Sequence, residues 1–235
     1  MSRPRRIVAL GGGGFSMEPR NPRLDRFLLG LTKRAKPRVL FVPTASGDAA
    51  DYIARFYKAY AKHPCTPSHL PLFNRDGRDL RSTILKQDMI FVGGGNTANM
   101  LAVWRLHGVD ALLREAWEGG TLLCGISAGA ICWFEGGITD SFGPPLRPLR
   151  DGLGILPGSF CPHYDGEPGR RPAYHRATKS GALPSGYAAD DSVGVLFEGT
   201  TFAGAFASRP HVRAYRVENG SEREIQPTEL SRVRP

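Results

Sequence analysis

Gly125-Ile-Ser-Ala-Gly129 has the G-x-S-x-G spacing that sets a serine hydroxyl on a sharp turn between a strand and a helix. The apolar run Thr121–Ile126 precedes it as a strand, and Ala128–Phe134 follows as the opening of a helix. A nucleophile on such a turn needs small neighbours, because the backbone approaches itself there; residues 125 and 128–130 are Gly, Ala, Gly and Ala. The helix start would also offer its dipole and free N–H groups to a developing oxyanion. The chemistry this permits is attack by Ser127 on a carbonyl. The plain alternative is a serine N-cap in a tight turn.

A serine nucleophile needs a base and oxyanion donors. Val92-Gly-Gly-Gly-Asn-Thr97 follows another apolar strand, and its glycines can aim backbone N–H groups at a ligand. It lacks the G-x-x-x-x-G-K-[ST] and G-x-G-x-x-G patterns, as does Gly11–Gly14, so an oxyanion donor facing Ser127 is the more economical reading. The alternatives are a simple loop with Asn96 or Thr97 as helix cap, or a phosphate or nucleotide site formed by the two glycine runs. Among six histidines, His163 stands where the apolar stretch Phe160-Cys-Pro breaks into a polar Gly/Pro loop, a common place for a base; His175 is the second choice. An α/β-hydrolase is disfavoured. His163 follows Ser127 by only 36 positions, too few for the strands that fold places after its nucleophile.

These residues must be held by a scaffold, and the order of elements predicts one. Arg6–Leu10, Arg38–Val42, Met89–Val92 and Thr121–Ile126 are strands apolar on both faces, with His69–Phe73 a weaker one. Helical spacing marks Asn21–Ala35, Asp51–His63, Leu80–Lys86, Thr97–Arg105 and Val109–Glu118. This alternation predicts a parallel sheet covered on both sides, whose ligands bind beyond the carboxyl ends of the strands. From Phe142 the chain turns Pro/Gly-rich and loses helical period. Val193–Phe197, Thr201–Phe206 and Val212–Val217 read as late strands, some antiparallel.

Composition limits the rest. A chain of 235 residues with 41% hydrophobic and 23% charged residues suits a single globular domain, 1–235, with residues 1–6 and about 220–235 expected as flexible tails. No apolar run reaches the roughly 20 residues of a membrane span, and Ile7–Leu10 is too short for a signal-peptide core, so a cytoplasmic protein without a membrane partner is expected. The net charge of +9 arises mostly in residues 1–38, with ten Lys/Arg against two Asp/Glu, and no nucleic-acid motif organises it; a solvated face is expected rather than a nucleic-acid partner. Cys65, Cys124, Cys132 and Cys161 show no C-x-x-C pair, so neither disulfide nor zinc is expected.

Four segments taken together, Val92–Thr97, Gly125–Ala130, Pro162–Tyr164 and Ala189-Asp-Asp-Ser192, resemble the peptidase E (α-aspartyl dipeptidase) family of serine peptidases, relatives of cyanophycinase. The resemblance runs from Gly11 to about Val217. It implies a three-layer α/β/α sandwich with a mostly parallel sheet, like class I glutamine amidotransferases, with serine where those carry cysteine. It implies Ser127 as nucleophile, His163 as base, and the Gly95 and Ala128 N–H groups as oxyanion hole. For the acid it implies Asp190, with Asp191 and Asp140 as alternates. It implies small peptides as substrate, foremost dipeptides with N-terminal Asp, with Asn96 beside the substrate and Arg170 or Arg171 reading its carboxylate. No metal or cofactor is implied, and a homodimer is compatible with it. A related exopeptidase of other specificity, cyanophycinase-like or a carboxypeptidase, is the nearest alternative; a non-catalytic ligand binder is the more distant one.

Overall fold

The structure, a computed structural model, describes residues 4–231. The first half alternates as expected, with one helix, α1, in place of an expected loop: β1 (Arg6–Leu10), α1 (Gly14–Met17), α2 (Arg23–Leu31), β2 (Arg38–Val42), α3 (Ala50–Tyr60), β3 (Thr66–His69), α4 (Leu80–Leu85), β4 (Met89–Val92), α5 (Thr97–His107), α6 (Val109–Glu118), β5 (Leu122–Ile126) and the short α7 (Ala128–Ile131). The second half is mostly strands: β6 (Phe134–Thr139), β7 (Arg147–Leu149), β8 (Leu156–Cys161), α8 (Arg170–Lys179), β9 (Gly186–Ala189), β10 (Val193–Glu198), β11 (Thr201–Ala207), β12 (Ala214–Glu218), β13 (Ser221–Ile225) and β14 (Thr228–Glu229).

Eight strands form one sheet in the order β14-β11-β10-β1-β5-β4-β2-β3. Its centre, from β1 through β5, β4 and β2 to β3, is parallel, while β10 runs antiparallel to β1 and β11 to β10. Alternate residues of each parallel strand point to opposite faces, so both faces must be apolar. Val8, Phe41, Phe91 and Cys124 face α2 and α3, packing on Leu28, Phe56 and Tyr60. Ile7, Val42, Ile90 and Leu123 face the other way, onto Trp104 of α5 and Leu113 of α6. The α/β architecture is as expected. Among the described residues no helix is long and apolar enough to cross a membrane, and all four cysteines are buried free thiols.

The second sheet, β13-β12-β9-β8-β6-β7, is not expected as a unit; of its strands only β12 is expected, at 212–217. It packs on the antiparallel flank of the first through Phe134 and Tyr187 against Phe197, with Phe160 stacked on Phe134. Residues 221–225, expected in a loose tail, pair antiparallel with β12, and 228–229 add to the edge of the large sheet. Their strands are largely exposed and polar, so no apolar alternation announces them. At the other end Arg6 pairs with Glu198, and Gly199 N–H donates to the Arg5 carbonyl at 2.8 Å, so the sheet begins before residue 7. Residues 1–3 and 232–235 lie outside the described residues.

Two elements differ in their bounds and one further helix is new. β3 is Thr66–His69, not 69–73, because the Leu72 and Phe73 N–H groups donate to Asp48 Oδ2 at 2.6 and 2.8 Å instead of to a strand. The helix after Ser127 stops at Ile131, and Phe134 already begins β6. α8 is new: its inward face is Arg170, Ala173, Tyr174, Ala177 and Thr178, a helical period hidden by polar residue types.

Asp25 on α2 is 2% exposed, accepting from Phe15 N–H at 3.2 Å and Tyr60 O–H at 3.3 Å. Burial pushes its carboxyl from 3.8 up to about 6. A carboxyl that holds its proton more tightly when folded stabilises most below its unfolded value, and that contribution is lost as pH rises through 6. The difference amounts to about 3 kcal/mol. Asp25→Asn should therefore gain on the wild type above pH 6 and show no gain at pH 4, read as urea-unfolding free energies across that range.

Candidate active site

The carboxyl end of β1 is where the site is assembled. Leu10 is its last residue, and the Leu10 carbonyl accepts from Ser127 N–H at 3.3 Å; the next carbonyl, Gly11, accepts from His163 N–H at 3.2 Å. Two residues distant in sequence thus hang from adjacent peptide units. Ser127 has φ 56° and ψ −114°, a conformation that costs a non-glycine residue on the order of 1–3 kcal/mol and is kept only where the surroundings impose it. Here they do. A Cβ on Gly125 would fall on the Gly129 carbonyl, and one on Gly129 would fall on the Val92 carbonyl of β4. The small residues around Ser127 are the condition for its turn. With only four residues in α7, the first N–H groups matter more than any macrodipole, which needs many aligned peptides.

The glycine loop after β4 borders the serine: a Cβ on Gly94 would stand 3.3 Å from Ser127 Cβ and 3.9 Å from its Oγ. Gly95, at φ 138°, leaves no room for a side chain against the Ala45 carbonyl. Its N–H has no acceptor among the described residues, and Ala128 N–H, first in its helix, has none within that helix.

His163, also at positive φ (52°), directs Nδ1 to Asp191 Oδ1 at 2.7 Å. The carboxylate beside the imidazole is therefore Asp191, not Asp190. Consecutive residues at the end of β9 point opposite ways. Asp190 turns back to accept Arg213 N–H on Oδ2 at 2.7 Å, and is 4% exposed; burial, with Asp165 and Asp191 near it, pushes its carboxyl up to about 6. Asp191 is walled by glycines: a Cβ on Gly166 would lie 2.6 Å from Oδ2, and one on Gly12 would fall on Oδ1. Its N–H donates to Asp165 Oδ1 at 2.8 Å. Asp140 is exposed in a turn, its carbonyl accepting from Gly143 N–H, and it is not the carboxylate that His163 Nδ1 meets. His175 stands elsewhere, with Nε2 2.9 Å from Tyr164 Oη and 2.8 Å from Glu222 Oε2.

The sequence matches the profile of Peptidase family S51 over residues 7–204. The chain belongs to peptidase family S51. It is 54% identical over 213 residues, 91% of this chain and 92% of the relative, to the uncharacterized peptidase YgaJ of Bacillus subtilis (strain 168). It is 31% identical over 146 residues, 57% of this chain and 55% of the relative, to a peptidase E of Streptomyces coelicolor (strain ATCC BAA-471 / A3(2) / M145). The crystal structure of a peptidase from an acI-B1 Actinobacterium shares the fold at a TM-score of 0.69, 17% identity and 95% coverage of both chains. So does a putative peptidase E protein from Listeria monocytogenes EGD-e, at 0.62 and 19%, covering 85% of this chain and 97% of that one.

In this S51 chain the expected substrate-reading side chains have other partners. Asn96 caps α5, its Oδ1 accepting Asn99 N–H at 2.8 Å while Nδ2 donates to the Ser141 carbonyl at 3.0 Å. Arg170 is 3% exposed, donating to Glu167 at 2.6 Å and to the Ile138 carbonyl at 2.9 Å. Arg171 lies over the Tyr164 and Tyr215 rings and donates from both Nε and Nη2 to Glu222. Burial pushes the Glu222 carboxyl up, but hydrogen bonds from Arg171, Tyr164 and His175 outweigh it and hold it below its ordinary value. Glu222 lies in β13, in the stretch expected to be loose, where no sequence signal marks it. The glycine runs are not open phosphate cradles either. Gly11 and Gly12 pack on the Asp190–Asp191 turn, and Gly93 packs on Tyr52 and Phe41. Among the described residues no group of three or more His, Cys, Asp or Glu is arranged to hold a metal ion.

The two neighbouring carboxylates separate experimentally. Asp191→Asn should lower kcat by about 10³–10⁴, because the amide can present the wrong group to Nδ1, whereas Asp190→Asn should leave kcat within about tenfold. Gly12→Ala should resemble Asp191→Asn in kcat. Steady-state kinetics on the three purified variants checks the ranking.

Proposed function

We propose that this peptidase is a serine-type exopeptidase of small peptides, with Ser127 as nucleophile, His163 as general base and acid, and Asp191 as the carboxylate that orients the imidazole. The observation that carries the reading is the strained Ser127 turn hanging one peptide unit from the His163–Asp191 pair. In this mechanism His163 takes the Ser127 proton as Oγ attacks the scissile carbonyl, and the developing oxyanion is met by the Gly95 and Ala128 N–H groups. Collapse of the tetrahedral species returns the proton to the leaving amine and leaves an acyl-enzyme. Water activated by the same imidazole then releases the acid.

Dipeptides with N-terminal Asp are the first substrates to test, in keeping with the peptidase E resemblance. Recognition of that carboxylate calls for a charged donor in place of water. Of Arg170 and Arg171, Arg171 is the one with exposed surface, 43% of its side chain, and it would engage substrate only in competition with Glu222. An acid-reading site should prefer Asp-Leu to the near-isosteric Asn-Leu by roughly one to two decades in kcat/KM, and Arg171→Met should erase that margin. Equal rates on Asp-Leu and Asn-Leu assign the enzyme to a different exopeptidase specificity.

Ser127→Ala tests the nucleophile. Turnover should fall on the order of 10⁴–10⁶ with the fold intact, and a fluorophosphonate probe should label wild type but not the variant. Near-wild-type hydrolysis by purified Ser127→Ala removes Ser127 from the mechanism.

A further inference from the structure

Gly93, Gly94 and Gly95, beside Ser127, have no side chains to hold them, and three consecutive glycines rotate at little steric cost. Yet its N–H groups are individually assigned. Gly93 N–H donates to the Val42 carbonyl at 3.1 Å, Gly94 N–H to Tyr52 Oη at 3.3 Å, and Asn96 N–H to the Ala45 carbonyl at 2.8 Å. Gly95 alone among the four has no acceptor among the described residues, and it is exposed. One of the three anchors is a side chain.

Tyr52 reaches the loop from α3, 5% exposed, with its ring edge-on to Phe41 at 5.0 Å between centroids. The same ring lies against Gly93, where a Cβ would stand 3.0 Å from Cε1. Beyond it, Tyr52 Oη is 2.7 Å from Ser16 Oγ, on the short α1 that follows β1. A phenol oxygen that accepts the Gly94 N–H can still give its own proton to the Ser16 oxygen, so both partners are satisfied together. Burial raises the Tyr52 hydroxyl above its ordinary value, which keeps it protonated and able to play both parts.

We propose that Tyr52, oriented by Ser16, is a positioning residue for the oxyanion loop: by taking the Gly94 N–H it sets the following peptide so that Gly95 N–H is the one left for substrate. This rests on the reading of Ser127 as nucleophile and Gly95 as oxyanion donor. The ring of Tyr52 packs in the core and against Gly93, while its oxygen takes the Gly94 N–H. Removing the oxygen alone leaves Gly94 N–H without its acceptor and lets the peptides on either side of it turn. The effect should fall on the transition state, where the oxyanion forms, and not on ground-state binding.

The test is Tyr52→Phe, with Ser16→Ala beside it, on the peptide that wild type cleaves best. Tyr52→Phe should lower kcat about tenfold with KM within about twofold, less than the 10²–10³ typical of deleting an oxyanion donor itself. Affinity for a peptidyl aldehyde, which forms the tetrahedral adduct, should fall by the same factor as kcat/KM. Ser16→Ala should move both quantities in the same direction by a smaller factor. The pH dependence of kcat/KM should keep its midpoints, since His163 and Asp191 are untouched. A folded Tyr52→Phe with wild-type kcat and aldehyde affinity, or a loss confined to KM, overturns the proposal. Should Tyr52→Phe fail to fold, unchanged kcat and aldehyde affinity in Ser16→Ala overturn it instead. Failure of the underlying reading shows separately, as fluorophosphonate labelling or hydrolysis that survives Ser127→Ala.

Discussion

The end of β1 carries a constraint on which the site depends. Its last carbonyl and the one after it hold Ser127 and His163 by their own N–H groups, so the spacing of the proposed nucleophile and base is set by the backbone of a central strand. β1 lies between parallel β5, which delivers Ser127, and antiparallel β10, which leads out of the Asp191 turn. The strand is fully buried from Ile7 to Leu10. A strand end buried on both faces is a firm mount, and such preorganisation is what the proposed stabilisation of an oxyanion requires.

Bringing three chain segments to one strand end demands closer backbone approach than side chains permit. Gly11 and Gly12 let the Asp190–Asp191 turn settle against β1, Gly125 and Gly129 let the serine turn fold onto itself and β4, and Gly95 lets its loop rest on Ala45. Glycine is used here for what its missing Cβ allows. Glu18 adds a polar tie on the same side: 6% exposed, it accepts from Ser192 Oγ at 3.1 Å and Ser208 Oγ at 2.6 Å and pairs with Arg209. The residue after Asp191 is thereby fixed to the segment after β1.

The second sheet has a comparable task for the histidine loop. His163 sits at the end of β8, and the loop after it is held by α8 and by Glu222, which gathers Arg171, His175 and the Tyr164 hydroxyl on one carboxylate. Burial first, and then the Glu222 carboxylate, push the Tyr164 hydroxyl well above its ordinary range, so it stays a donor. The hairpin β12–β13 is thus coupled to the loop that follows His163, although neither strand bears a residue of the proposed triad.

By itself the sequence determined the elements whose signals are local. Continuous apolar strands and amphipathic helices up to Glu118 were legible because both report burial through periodicity, and Ser127 was legible because a strand, a small-residue turn and a helix start are contiguous around it. His163 was legible as an apolar stretch breaking into a polar loop. What the tertiary structure alone decided was pairing between distant segments. Asp190 and Asp191 are the same residue type one position apart, and only the direction in which β9 ends tells which meets the imidazole. Arg170 and Arg171 look like free cations until Glu167 and Glu222 are found against them. Tyr52 reads as one more apolar position on α3, because its hydroxyl gains a partner only when β4 brings Gly94 beside it. Local patterns record how much of a residue is buried; which atom it meets depends on chain closure over tens of residues, and that is decided in three dimensions.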